Sequence, residues 1–278
     1  MEELHKQVSP STKAIADAEE LEEGLHKGLV VESTGIWTQV KLDDGSVVSS
    51  RLPGRQRLED SDYAHPIAVG DWVKIHLEND GSGMIQYTYP RKNGLPRQST
   101  HTRRQSQLLL ANLDFLWLVQ SARQPRVNTR FIDRCLVACD AYDIPAGIII
   151  NKIDLARRTD KIHLQRVIDI YAEIGVPTHT CSVLNEEGLE PIKEQMGGKV
   201  SAFFGPSGVG KTSLLNALDP SLELNTAPIS SSTGKGTHTT TYALMVEPVG
   251  YPKGTMIADT PGIRELGLVG IPLEELSH

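Results

Sequence analysis

Between residues 25 and 90 the chain runs in short stretches rich in β-branched residues: GLVVES, IWTQVKL, SVVSSRL, DWVKIHL and GMIQYTY. Turn signals separate them, among them Asp44-Gly45 and Asp80-Gly81, and this punctuation predicts strands joined by tight hairpins. Around five strands in about seventy residues predict a small β-barrel, of which the OB-fold is a common case and a frequent nucleic-acid binder. A β-domain with a purely structural role also fits the pattern.

Further along, the texture changes to alternating strands and helices. DFLWLVQSA (114–122) and AGIIINK (146–152) are nearly continuous apolar runs, as expected of parallel strands covered on both faces. NTRFIDRCLVACDAYD between them, and KIHLQRVIDIYAEIG at 161–175, have the period of covering helices. The second half is therefore expected to be a doubly wound α/β domain. The predicted division is a flexible acidic arm over 1–24, a barrel over 25–92, a basic linker over 93–106 and the α/β domain over 107–278. Gly94 and Pro96 mark the linker, and DAEELEE marks the arm.

Composition narrows the class. With 278 residues, 39% apolar and 23% charged, the chain is long enough for two globular units with cores of their own. No apolar run is long enough to span a bilayer, and MEELHKQVSP has no apolar signal region, so a cytoplasmic protein without a membrane partner is expected. A net charge of −7 argues against a protein that coats nucleic acid over its whole surface. Local charge is different: RKNGLPRQSTHTRRQ (91–105) has five Lys and Arg residues and no acid, which permits an RNA or phosphate contact. Three cysteines cannot make an even disulfide framework. Cys135 and Cys139 have a spacing that could suit a metal, but with no second Cys or His pair nearby they read as core.

Three motifs carry chemistry. Residues 205–212, GPSGVGKT, satisfy G-x-x-x-x-G-K-[ST] between the strand KVSAFF and the helical SLLNAL. Gly205, Pro206, Ser207, Gly208, Val209 and Gly210 would turn backbone N–H groups inward around phosphates. Lys211 would balance the β and γ charge, and Thr212, followed by Ser213, could hold Mg²⁺. Asn151, Lys152 and Asp154 form NKID after a strand. A carboxylate there can accept from both N1–H and the exocyclic amine of guanine, whereas adenine would leave it unpaired. Asp259-Thr260-Pro261-Gly262 has the form D-x-x-G, with Asp259 reaching Mg²⁺ through water and the Gly262 amide reaching a γ-phosphate. In the softer stretch CSVLNEEGL, Ser182 and Val183 are candidates, the Val183 amide for the guanine oxygen. STGKGTHTTT (232–241) occupies the place of a first switch, where a threonine would complete the Mg²⁺ shell.

The order is unusual, because NKID comes about fifty residues before the phosphate loop. NKID, GPSGVGKT, HTTT and DTPG in this order, with NTRFIDR at 128–134, resemble the ribosome small-subunit-dependent GTPases of the RsgA/YjeQ type. The resemblance implies an N-terminal OB-fold followed by a circularly permuted P-loop GTPase domain, in which the guanine-specificity motifs precede the phosphate loop. Permutation is tolerable because all these elements sit at the carboxyl edge of one sheet. The resemblance also implies GTP/GDP and Mg²⁺ as ligands, the small ribosomal subunit and its rRNA as partners rather than DNA, and subunit-stimulated hydrolysis late in subunit maturation. It assigns His238 to placing the attacking water and Thr240 to sensing Mg²⁺, with Lys211 as the third catalytic residue. A monomer is the default.

Departures are of two kinds, from Ras-like enzymes and from the family itself. Ile263 follows D-x-x-G where Ras-like enzymes have a water-orienting glutamine, so intrinsic turnover is expected to be slow; Thr237 also replaces the usual arginine before His238. The family's C-terminal zinc domain has no Cys and His ligands to assign in the sixteen residues after Gly262, which is expected to lower ribosome affinity. Two other readings remain open: a nucleotide-gated RNA-binding module with vestigial hydrolysis, and an ATPase or metabolite kinase, which Asp154 disfavours.

Overall fold

The computed structural model describes residues 24–34, 36–53, 67–98, 106–224 and 243–259. The arm expected over 1–24 lies almost wholly outside them. The chain divides into two compact units, residues 1–112 with 242–245, and residues 113–241 with 246–278.

The first unit is a barrel of five strands: β1 (Leu25–Thr34), β2 (Trp37–Leu42), β3 (Val47–Arg51), β4 (Trp72–Leu77) and β5 (Gly83–Thr88). They run in the order β1-β2-β3-β5-β4, and β4 closes the ring on β1. Only β3 and β5 pair in parallel. Alternation decides which side chains enter: in WTQVKL, Thr38, Val40 and Leu42 are buried and their neighbours are not. Val30, Val40, Val73, Ile75 and Ile85 fill the interior. Both Asp-Gly signals make turns. Asp44 accepts from the Ser46 amide at 2.8 Å, Asp80 accepts from Ser82 at 2.9 Å, and each following glycine has a positive φ.

The stretch expected to be a basic linker is in part a strand. β6 (Gly94–Gln98) pairs antiparallel with β7 (Ser106–Ala111). Its charged neighbours obscured an apolar anchor, for Leu95 and, across the ladder, Leu110 are fully buried. Residues 99–105 lie outside the described ones.

The second unit is a parallel sheet in the order β10-β9-β8-β11-β13, from β8 (Phe115–Ser121), β9 (Ala146–Asn151), β10 (Thr178–Thr180), β11 (Val200–Phe204) and β13 (Met256–Asp259). The short β12 (Leu244–Val246) begins in the first unit, where Leu244 lies opposite Glu32 of β1. The helices are α1 (Thr129–Ala141), α2 (Arg158–Glu173), α3 (Glu190–Met196) and α4 (Lys211–Leu218). Every residue of β8 is buried, as its continuous apolar run requires. Trp117, Phe203, Ile192, Met196, Leu214 and Ile257 belong to one core cluster. Cys135 and Cys139 are buried on α1, and burial pushes each thiol up to about 12. Tyr171 of α2 donates to Asp133 of α1 at 2.7 Å. The strand order sets the carboxyl ends of β9, β8 and β11 side by side, with β10 and β13 flanking them.

Candidate nucleotide-binding site

Strand β11 is a mostly buried run that ends at Phe204, and α4 begins at Lys211, leaving a six-residue loop, 205–210, between them. At Gly205 a Cβ would lie 2.1 Å from the Val119 carbonyl of β8, so only glycine allows this approach. Gly208 and Gly210 have φ of 83° and 89°, the left-handed region that lets successive N–H groups converge. Buried Val209, Leu214, Leu215 and Leu218 tie the loop and α4 to the core. The Lys211 ammonium donates to the Gly205 carbonyl at 2.9 Å, which folds the cation back across the loop. Thr212 and Ser213, half-buried, follow in the first turn of α4.

The NKID segment clasps this loop. Asn151 ends β9 almost fully buried, and its Nδ2 donates to the Val209 carbonyl at 3.1 Å. Its Oδ1 accepts from the Lys152 amide at 2.7 Å and from the Val183 amide at 3.4 Å. Lys152 adopts a left-handed φ of 59°, and its ammonium donates to the carbonyls of Gly208 at 2.5 Å and Gln124 at 3.2 Å. One asparagine and one lysine thus bind the specificity segment to the phosphate loop across 56 to 58 positions of sequence.

Asp154 stands exposed in a short 3₁₀ turn, Ile153–Leu155. The buried Ser182 hydroxyl donates to its Oδ1 at 2.6 Å and accepts from the Asn185 amide at 3.2 Å. Ser182 is fixed in turn by backbone bonds in both directions with Glu187. Ser182 therefore orients the carboxylate through one of its oxygens. The Val183 amide, expected to face the guanine oxygen, donates to Asn151 here. Cys181, beside this turn, is buried, and burial raises its thiol to about 12.

Sequence reasoning missed two contributors, Gln124 and Gln120, and the role of a third, Ser182. The Gln124 carbonyl anchors Lys152, and a backbone carbonyl has no signature in sequence. Ser182 as the holder of Asp154 depends on the packing of β10 beside β9. Gln120 was legible as the polar residue inside an apolar run: it is buried at the carboxyl end of β8, and its Oε1 accepts from the Asn128 amide at 3.2 Å. Asn128 caps α1 by accepting from Phe131.

Asp259 ends β13, whose Ala258 pairs with Ala202 of β11, so the D-x-x-G motif starts from the strand next to the phosphate loop. Gly262, His238 and Thr240 lie outside the described residues. Among the described residues no group of three or more His, Cys, Asp or Glu is placed to hold a metal ion. For Mg²⁺ the fit rests on hard oxygen donors, and Thr212 supplies one at the head of α4.

The profile of the RsgA GTPase family matches residues 88–269, and that of the RsgA N-terminal domain matches residues 27–85. The chain belongs to the RsgA GTPase family. Its enzymatic class is GTP hydrolysis, as the family and the clasped phosphate loop agree. A small ribosomal subunit biogenesis GTPase RsgA from Bacteroides fragilis is 42% identical over 252 residues, covering 91% of this chain and 80% of the relative. Its counterpart from Flavobacterium johnsoniae is 40% identical over 256 residues, covering 90% and 77%. Among solved structures, YjeQ from Thermotoga maritima superposes with a TM-score of 0.71 at 30% identity, covering 91% of this chain and 80% of that one. YloQ, described as a circularly permuted GTPase, gives 0.67 at 26% identity, covering 93% and 78%. The RsgA fold thus accounts for the order of motifs: a barrel followed by a permuted GTPase domain.

Proposed function

We propose that this chain is a slow, guanine-selective GTP hydrolase that acts on the small ribosomal subunit late in its maturation, in the cytoplasm, with the barrel contacting rRNA. The carrying observation is the clasp of Asn151 and Lys152 on the phosphate loop beside a Ser182-held Asp154. It couples the residues that would read guanine to the backbone that would bind phosphate. The names of its relatives supply the ribosomal partner.

In this reading the loop amides of 205–210 bind the phosphate oxygens, and Lys211 leaves the Gly205 carbonyl for the β and γ oxygens. Asp154 accepts from the N1–H and exocyclic amine of guanine; Ser182 keeps it aligned. Thr212, Thr240 and, through water, Asp259 would hold Mg²⁺, which supplies charge neutralisation at the phosphates. His238 orients the attacking water, since Ile263 has no group that could. Placement of that water is then incomplete until the subunit docks, so free turnover is slow.

The test is GTP turnover by the 278-residue chain with and without purified small subunits, at two salt concentrations, because rRNA contacts weaken as salt rises. Strong stimulation that falls with salt is expected; GTP bound but never stimulated would sink the reading. Ile263 also favours a second reading, a nucleotide-gated RNA-binding module. Thr240→Ala separates the two: loss of stimulated turnover with nucleotide still bound supports the hydrolase, and unchanged rates support the module.

A further inference from the structure

The loop from Ala122 to Asn128, between β8 and α1, carries no letter of the nucleotide motifs, yet polar groups fix it along its length. Strands β8 and β9 end side by side, with Ser121 opposite Asn151. Gln120 and Ser121, the last two residues of β8, are 1% and 0% exposed. Their side chains turn to the loop that follows. The Ser121 hydroxyl donates to the Arg123 carbonyl at 2.7 Å, and Gln120 Oε1 accepts from the Asn128 amide at 3.2 Å. The loop is thus held near both of its ends. Between them the Ala122 amide donates to the Asn151 carbonyl at 2.8 Å, and Arg123 and Arg126 reach Asp160 at 3.8 and 3.4 Å.

What the loop presents is one carbonyl. Gln124 accepts there from the Lys152 ammonium, which also donates to Gly208 of the phosphate loop. Both residues of this contact have left-handed backbone, with φ of 58° at Gln124 and 59° at Lys152. Such angles are unfavourable for a residue with a Cβ and persist where the surroundings impose them. A buried glutamine is likewise unfavourable unless its amide is hydrogen-bonded, and the five residues before it in β8 are all buried and apolar. Both ends of this amide are engaged. Gln120 Nε2 donates at 3.1 Å to the Val119 carbonyl, the same carbonyl against which Gly205 packs too closely for any Cβ. One side chain therefore touches the loop that anchors Lys152 and the strand end that backs the phosphate loop.

We propose that Gln120, supported by Ser121, is a positioning residue for nucleotide binding: it holds the 122–128 loop so that the Gln124 carbonyl fixes the Lys152 ammonium across the phosphate loop. A lysine has a flexible four-carbon stem, and holding its ammonium in one place costs rotamer entropy. A second fixed acceptor, set opposite the Gly208 carbonyl, confines that ammonium before any nucleotide arrives. The proposal rests on the reading of 205–212 and NKID as a guanine-nucleotide site, and adds to it a residue that no motif contains.

The test is a double-mutant cycle on the full chain, read by the affinity for a fluorescent GDP analogue. Gln120→Leu keeps a side chain of similar size and suits an apolar strand; it should weaken binding about five-fold, the range of one neutral hydrogen bond. Lys152→Met should weaken it further. In the Lys152→Met background Gln120→Leu should cost almost nothing more, because the glutamine acts through the lysine. Hydrogen exchange should show the Asn128 amide opening in Gln120→Leu while the amides of β8 and β9 keep their protection. Equal losses in both backgrounds would mark a general structural role and overturn the proposal, as would an unchanged affinity in Gln120→Leu. If Gln120→Leu does not fold, Ser121→Ala carries the same cycle from the other end of the loop, with the same outcomes. A wild-type chain that binds no guanine nucleotide would remove this proposal and the proposed function together; guanine nucleotide bound by the wild type, with additive losses in the cycle, would remove this one alone.

Discussion

At the scale of single residues, the two units depend on polar groups that only their partners make tolerable. Asp71 is fully buried; it accepts from Arg91 Nε at 2.6 Å, from the second guanidinium nitrogen at 2.7 Å, and from the Ala68 amide at 2.8 Å. Arg91→Ala would leave that carboxylate buried without its cation, and urea unfolding should show a loss of about 3 kcal/mol in the barrel. Arg91→Lys should recover only part, because an ammonium cannot reproduce the fork. Ser182 has the corresponding place in the GTPase unit. Ser182→Ala removes a hydrogen bond to a charged group, worth about 1.5–3 kcal/mol, and should weaken GTP binding about ten-fold or more. Discrimination against ATP should narrow with it, and a fluorescent guanine nucleotide with ATP as competitor reads both. An unchanged ratio would mean that Asp154 needs no holder. The motif letters of NKID and GPSGVGKT could be read without a structure. What could not be read is that Lys152 and Asn151 spend their side chains on the phosphate loop, for that depends on β9 and β11 lying near one another in the sheet.

Among the elements, α1 shows how burial becomes a pH response. Cys135 and Cys139 lie on its inner face; burial, first, raises each thiol from 9.0 to about 12. Tyr171 of α2 is raised as well, first by burial and then by its bond to Asp133. In the folded chain these groups keep their protons at pH values where the unfolded chain has released them. Their contribution to stability is whole below pH 9 and is lost as pH rises toward 12. Thermal melts between pH 8 and pH 11 should therefore show a steep decline, shallower in the Cys135→Ala/Cys139→Ala variant; equal slopes would place the alkaline sensitivity elsewhere. The helix itself was legible: NTRFIDRC offers an N-cap asparagine ahead of an amphipathic run, and Asn128 does cap it. The β6 strand was not, because Gly94, Pro96 and five cationic residues nearby gave a loop-like composition to a segment that Leu95 anchors.

For the whole molecule, the permuted order has a measurable consequence. Asn151–Asp154, Ser182–Val183 and Gly205–Thr212 are separate in the chain but joined by the bonds of Asn151 and Lys152. In hydrogen exchange, saturating GTP should protect all three segments together, and ATP at the same concentration should protect none. Protection confined to 205–212 would mean that phosphate is bound without the base being read. Saturation to a hundred times Kd should also stabilise the GTPase unit by about 2.7 kcal/mol through linkage.

The sequence by itself determined the class of each half. Period-2 runs between Asp-Gly turns make a barrel, and unbroken apolar strands alternating with amphipathic segments make a covered parallel sheet. A glycine-rich loop with Lys and Thr can hardly serve anything but phosphate. These follow from local chemistry, where each residue's neighbours in the chain suffice. The tertiary structure alone decided that Ser182 holds Asp154, that Lys152 is tied to a carbonyl of Gln124, and that a supposed linker is half a hairpin. Each of these depends on strand order and register, which bring together residues tens of positions apart, and no local pattern of polar and apolar residues encodes those distances.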